Sequence, residues 1–280
     1  MPKIATLGPQ ETFSDLATRQ YLQSQDGAYE IQYFSSLSDT FAAIGKDCEM
    51  GVLPIENLSE GYVQVVLDHL LDTQLVVISE ILLPIQFSFV ATCATLPELT
   101  DLYVQFVAHG QCSEFIDRLE NIKVHNTQSN IESLLLAQEH GQGAGAIIPK
   151  HALKMAKHQT LITENVTNYE NNQTRFLVFT DKAQPRLAGQ QYKTSLVVKN
   201  ENDSPGVLGN IVDAFAQQKV NLTSIMSRPT KSDFGKYHFF IDIDGHQQDL
   251  NVSQALQQIM KQHPVTVIGS YIKAEQQKAP

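Results

Sequence analysis

The sequence predicts an α/β protein in which two α/β lobes, over residues 1–180, are followed by a linker at 181–191 and a ferredoxin-like βαββαβ unit over 192–275. Three observations carry this. Short β-type runs alternate with helical periodicity through the first 180 residues. The apolar pattern lapses at 181–191, which contains Pro185 and Gly189. Beyond it the order is strand, helix, two strands, helix, strand.

Residues 4–7 read as a strand, ended by the turn Gly8-Pro9-Gln10-Glu11. Thr12-Phe13-Ser14-Asp15 has the form of a capping box and opens a helix to about Leu22. A strand at 31–34 and a helix at 38–44 follow, then a strand at 50–55, a polar loop and a helix at 62–71. Strands are expected at 75–81, 86–91, 102–107 and 144–148, with helices at 112–119 and 131–139. Such alternation implies parallel sheets with helices on their faces. Ligands then bind beyond the carboxyl ends of strands, where the loops 8–12 and 54–61 lie. In the last unit, strands are expected at 193–199, 221–227, 237–243 and 265–271, and helices at 206–217 and 252–261.

Composition removes several classes of function. The chain has 280 residues and a formal net charge of −10, with no Lys/Arg run to reverse it, so nucleic acid is not an expected partner. The longest apolar stretch, 75–91, is broken by Ser79, Glu80, Pro84, Gln86 and Ser88, so no membrane span is expected. Met1-Pro2-Lys3 leads straight into a short strand without a signal-peptide core, and Cys48, Cys93 and Cys112 are odd in number and widely spaced. Together these suggest reduced thiols in a cytoplasmic protein. The nine histidines form no metal-type spacing; His69, His140, His151 and His158 are expected on helices as surface or core residues. No phosphate loop or nucleophile elbow is present, and neither metal nor cofactor is expected.

Three strings could carry chemistry. In Asn172-Gln173-Thr174-Arg175-Phe176, strand alternation puts Thr174 and Phe176 on one face and Arg175 on the other. Thr174 is then either a proton donor in a polar cleft or part of an ordinary strand edge. Gly8 to Ser14 opens a helix whose free N–H groups would attract a carboxylate or phosphate, although taken alone the string is better explained by simple capping. Gly51-Val52-Leu53-Pro54-Ile55-Glu56-Asn57 carries a carboxylate and an amide to the end of a buried strand.

These strings, with Gln111-Cys112 opening a helix, resemble in order and spacing the motifs of the prephenate dehydratase family over roughly residues 3–180. Ser204-Pro205-Gly206-Val207-Leu208, Val220-Asn221-Leu222-Thr223-Ser224-Ile225 and Ser227-Arg228-Pro229 resemble the ACT regulatory domain that follows in that family. The resemblance implies a two-lobed, periplasmic-binding-protein-like catalytic region converting prephenate to phenylpyruvate, CO2 and water, under control by phenylalanine, in a homodimer or homotetramer. It implies Thr174 as the catalytic donor to the departing hydroxyl. It implies Thr12, Glu56, Asn57, Gln111, Asn172, Arg175 and Phe176 at the substrate, with Glu56 more suited to orienting Asn57 and Phe176 to packing. Arg175 stays divided between substrate and a structural ion pair. Effector contacts are implied for Gly206, Val207, Leu208, Asn221, Leu222, Ser227 and Arg228. The sequence departs from the family pattern at Glu11, where Gly is usual, at Leu58, at Val104-Gln105-Phe106-Val107, and at Met226, where the regulatory motif has Glu. A decarboxylase that does not aromatise its product, and an amino-acid sensor without catalysis, remain as alternatives.

Overall fold

The structure is a computed structural model that describes residues 1–157, 160–200, 204–230 and 236–274; His158, Glu201 to Asp203 and residue 275 lie outside the described residues. β1 (Lys3–Leu7) runs parallel to β2 (Glu30–Phe34) and β3 (Met50–Asn57), through crossovers made by α1 (Phe13–Gln23) and α2 (Leu37–Ala43). Both helices start on side-chain caps, Thr12 Oγ1 accepting from Asp15 N and Ser36 Oγ from Asp39 N. β4 (Gly61–Tyr62) folds back on β3, and α3 (Gln64–Leu70) follows.

β5 (Val76–Pro84) then carries the chain into a second lobe. That lobe holds β6 (Phe87–Ala91), β7 (Asp101–Gln105), α4 (Phe106–Gln111), α5 (Ser113–Ile116), β8 (Lys123–Thr127), α6 (Asn130–His140), β9 (Ala144–Pro149), a 3-10 segment (Lys150–Met155) and β10 (Leu161–Thr163). Its sheet has the order β10-β6-β9-β7-β8. β11 (Gln173–Thr180) returns to the first sheet, between β3 and β5.

The all-parallel expectation is corrected. β11 is antiparallel to both β3 and β5, and β6 is antiparallel to both β9 and β10. The chain leaves the first lobe on β5 and re-enters on β11, so those two strands must run in opposite directions. Strand direction is a long-range property that local alternation does not encode. The expected strand 102–107 also ends early: Gln105 Oε1 accepts from Val107 N and Ala108 N, and this side-chain cap starts α4 instead.

The last unit is β12 (Tyr192–Lys199), α7 (Val207–Gln217), β13 (Leu222–Pro229), β14 (Tyr237–Asp244), α8 (Leu250–Met260) and β15 (Val265–Ile272), the expected βαββαβ order. α7 starts on Gly206 at φ 88°, a left-handed conformation that glycine adopts without a Cβ clash. Ile211, Phe215, Val252, Leu256 and Ile259 on the helices pack on Leu196, Val198, Ile241 and Ile243. The other face of this sheet is buried against the first lobe, where Val197, Phe240, Ile268 and Tyr271 share a core with Leu67, Leu70, Leu177 and Phe179. β15 joins β5 at Ile272 and Ser79, producing one sheet in the order β13-β14-β12-β15-β5-β11-β3-β1-β2. At this join Gly269 lies so close to the Val77 carbonyl that any Cβ would overlap it.

Candidate active site

A cleft of about 350 Å³ opens between the two lobes. The first lobe supplies Leu7, Gly8, Thr12, Phe13 and Ser14 from the β1–α1 junction, Pro54, Asn57, Glu60, Gly61, Tyr62 and Val63 from the end of β3 onward, and Thr174 and Phe176 from β11. The second lobe supplies Phe87, Gln105, Val107, Gln111, Gln128, Ser129 and Asn130, with Ile85 from the crossover between the lobes. Two helix starts, of α1 and of α6, therefore face the cleft from opposite lobes. Each is organised by its own cap: Thr12 Oγ1 accepts from Asp15 N, and Ser129 Oγ from Glu132 N. The first-turn N–H groups of both helices remain as anion-directed donors.

Thr174 lies on the cleft face of β11 and is 8% exposed. Its register partner on β3 is Asn57. Asn57 Nδ2 donates to Thr174 Oγ1 at 2.8 Å. The amide cannot be turned over, because Asn57 Oδ1 already accepts from Ser59 N at 2.9 Å, Ser59 Oγ at 2.8 Å and Glu60 N at 3.1 Å. Backbone N–H groups only donate, so the oxygen must face them and the NH2 must face Thr174. Thr174 Oγ1 is thus an acceptor toward Asn57, and its own proton is directed elsewhere.

Asn172 stands behind the cleft wall. Its Nδ2 donates to Gln111 Oε1 at 3.1 Å, and its carbonyl accepts from Ile85 N at 2.8 Å, which ties the two lobe-connecting segments together. Gln111 lines the cleft; the adjoining Cys112 is fully buried, and burial pushes its thiol up to about 12, so it is not a nucleophile at neutral pH. Phe176 lines the cleft as well as packing in the core.

Of the residues expected at the substrate, Glu56, Asn172 and Arg175 do not line the cleft, and of the two roles left open for Arg175 the structure holds the ion pair. β3 extends through Asn57, so Glu56 lies in the strand and not in the polar loop expected there, and alternation turns it to the face opposite Asn57. Arg175 follows Thr174 onto that same back face. There Arg175 Nη1 lies 2.6 Å from Asp242 Oδ2, and Nη2 lies 3.4 Å from Glu56 Oε2. Burial opposes the charge on Arg175, but Asp242, Tyr271 and Glu56 outweigh it and push its pKa up. Burial raises the pKa of Glu56 despite the opposing effect of Arg175.

The sequence reading overlooked several cleft residues. Tyr62 lines the cleft while its hydroxyl bonds Ser224 Oγ of β13; burial pushes that phenol up to about 12 and keeps it neutral. Ser129-Asn130-Ile131-Glu132 repeats the capping-box form already noticed at Thr12, and this was the available signal for the second helix start. His151, expected as a helix residue, lies on the 3-10 segment and bonds across the lobes, its Nε2 at 2.9 Å from the Glu11 carbonyl. Glu11, the departure from Gly, holds φ 67° and pairs with Lys154 Nζ at 2.9 Å.

The expected effector residues cluster less tightly. Gly206 and Val207 open α7, and the Leu208 side chain is exposed. Leu222 and Ser227 lie on β13, the edge strand. Asn221 Nδ2 donates to Asp244 Oδ2 at 2.8 Å. Arg228 is committed to Asp68 of α3, with its Nε and Nη2 at 2.8 and 2.9 Å from the two carboxylate oxygens. Among the described residues no cluster of His, Cys, Asp and Glu could hold a metal, and no helix is long and apolar enough to cross a membrane.

Comparison with known proteins follows the same division of the chain. The family model for prephenate dehydratase matches residues 4–184, and that for the ACT domain matches residues 194–259. A prephenate dehydratase of Methanocaldococcus jannaschii is 30% identical over 269 residues, covering 94% of this chain and 95% of the relative. The crystal structure of prephenate dehydratase in complex with L-Phe from Arthrobacter aurescens superposes with a TM-score of 0.84 at 29% identity, covering 99% of this chain and 92% of that one. That of the Staphylococcus aureus enzyme gives 0.81 at 27% identity, with 97% and 100% coverage. The motif order, the cleft geometry and these matches agree, and the chain belongs to the prephenate dehydratase family, with a C-terminal ACT domain.

Proposed function

We propose that the interlobe cleft aromatises prephenate to phenylpyruvate with Thr174 as the hydrogen-bond donor to the departing ring hydroxyl. The single observation that carries this is the fixed direction of the Asn57 amide, which leaves the Thr174 proton free to point into the cleft. In the reaction the bond between ring C1 and its carboxylate breaks and its electron pair enters the ring. The bond between C4 and oxygen breaks in turn, and the leaving oxygen takes a proton to become water. Hydroxide is a poor leaving group, so a donor placed at that oxygen lowers the barrier; such assistance is worth roughly 10²–10⁴-fold. Thr is a very weak acid, so its part is to donate a hydrogen bond to the leaving oxygen, and the proton that completes the water comes from solvent.

The substrate is a dianion in a protein whose net charge is −10. With Arg175 on the back face, the supports for its two carboxylates are the first-turn N–H groups of α1 and α6, with Thr12, Ser129 and the Gln111 amide. Phe13, Phe87, Ile85 and Phe176 give the ring an apolar wall. Phenylalanine is the effector of the ACT domain; this rests on the domain match and on the related enzyme crystallised with L-Phe. Two or four copies assemble through the ACT domains, supported by the edge position of β13 and the exposure of Ile225, Leu208 and Val212. The three buried free thiols suit the cytoplasm.

Incubation with prephenate, followed by phenylpyruvate absorbance in alkali, tests the reading. Phenylpyruvate formation supports it. Release of CO2 without phenylpyruvate would instead make the chain a non-aromatising decarboxylase, and phenylalanine binding without turnover would make it a sensor.

A further inference from the structure

Behind Thr174, on the face of β11 turned away from the cleft, lies a buried ionic cluster shared by both domains. Arg175 and Glu56 come from β11 and β3, Glu80 from β5, and Asp242 and Lys193 from β14 and β12 of the ACT domain. Glu80, Arg175, Lys193 and Asp242 are all buried. Arg175 lies 3.4 Å from Glu56, 3.7 Å from Glu80 and 2.6 Å from Asp242, so its closest partner belongs to the other domain.

We propose that Asp242 of the ACT domain is a positioning residue for Thr174, acting through Arg175; this rests on the reading of Thr174 as the catalytic donor. Three features of the geometry support it. First, Arg175 is bonded directly to Thr174 along a strand whose pairing with β3 shifts register between Arg175 and Phe176. The β5 ladder is regular at this point, so the irregularity lies on the β3 side, the side that carries Asn57, and the ion pair supplies a further restraint there. Second, Asp242 is itself fixed inside its own domain. Ser195 Oγ donates to Asp242 Oδ1 at 2.5 Å, and Ser195 Oγ lies 2.6 Å from the Tyr271 hydroxyl. The anchor thus draws on β12, β14 and β15 together. Third, of the other ion pairs between the domains, Lys193–Glu80 at 2.7 Å belongs to the same cluster but reaches β5 and not β11, and those of Lys199 and Arg228 lie elsewhere. Lys199 meets Asp72 and Arg228 meets Asp68, both on or just after α3, away from β11.

Without Asp242 a buried guanidinium loses its nearest counter-charge and turns toward Glu56 or Glu80. That movement pulls the backbone of residue 175 and tilts the adjoining Thr174–Asn57 pair. Substrate carboxylates are held by other elements, so the loss falls on turnover and not on binding.

The experiment uses the full chain. Asp242→Asn should lower kcat at least about tenfold with KM for prephenate within about twofold, while Asp242→Glu restores most of kcat. In an Arg175→Gln background the same Asp242→Asn change should cost nothing further, because the route to Thr174 is already cut. Lys199→Gln weakens the same domain contact without touching the cluster and should leave kcat unchanged. Ser195→Ala retains Asp242 but frees it, and should lower kcat in the same direction if Asp242→Asn fails to fold. The proposal is overturned if Asp242→Asn and Ser195→Ala behave like Lys199→Gln, or if the Asp242 effect keeps its size without Arg175. Activity surviving in Thr174→Val would instead overturn the catalytic assignment, independently of Asp242.

Discussion

Asn57 donates to Thr174 across the β3–β11 ladder at 2.8 Å, and Asn57 is in turn held by the N–H groups of Ser59 and Glu60. A turn of four residues thereby decides the direction in which the Thr174 hydroxyl can donate.

This relationship separates two substitutions at one position. Asn57→Asp keeps an acceptor for Ser59 and Glu60 but offers Thr174 only oxygen, so the hydroxyl must donate backward and away from the cleft. Its kcat should fall about a hundredfold with a small change in Tm. Asn57→Ala should also lose about 1–3 kcal/mol of stability, since the turn N–H groups lose their acceptor. Steady-state rates and thermal unfolding of the two variants check this.

Gly269 sets the join between the domains. Gly269→Ala places a methyl group against the Val77 carbonyl, where β15 meets β5. The variant should lose about 1–3 kcal/mol or more through overpacking. Limited proteolysis should cut it faster in the segment between Thr180 and Tyr192, where no regular structure is present. Equal resistance in the two proteins would contradict the close docking.

His151 gives the interlobe contact a pH dependence. Burial lowers its pKa, opposed by the Glu11 carbonyl and side chain, while Lys154 lowers it further. A histidine whose folded pKa lies below its unfolded value binds fewer protons when folded. Its contribution is complete above the ordinary value of about 6.5 and is lost as the pH falls below it. Denaturant unfolding at pH 7.5 and pH 5.5 should show a smaller loss in His151→Gln, which cannot titrate, than in the parent protein.

Much of the site was legible because it obeys local rules. Alternation alone divided Thr174 and Phe176 from Arg175, and the structure places the first two on the cleft and the third behind it. The same rule would have turned Glu56 away from Asn57 had the strand been carried two residues further. Its end was hidden by the polar residues from Glu56 onward, which read as a loop although Glu56 and Asn57 belong to β3. The cap at Thr12 was visible, and the equivalent cap at Ser129 was visible in form but not used. Directions of β5 and β11 and the pairing of Arg175 with Asp242 depend on residues far apart in sequence. No local pattern specifies them. The departure at Glu11 gained meaning only when Lys154 and His151 were found beside it.

The most direct test of the account is the turnover of prephenate by Thr174→Val, which removes the hydroxyl while keeping the side chain's shape. The account predicts a fall in kcat of about 10²–10⁴-fold in a folded protein. A kcat within about threefold of the parent value, with the fold intact, would contradict the assignment of Thr174 as the donor to the leaving hydroxyl.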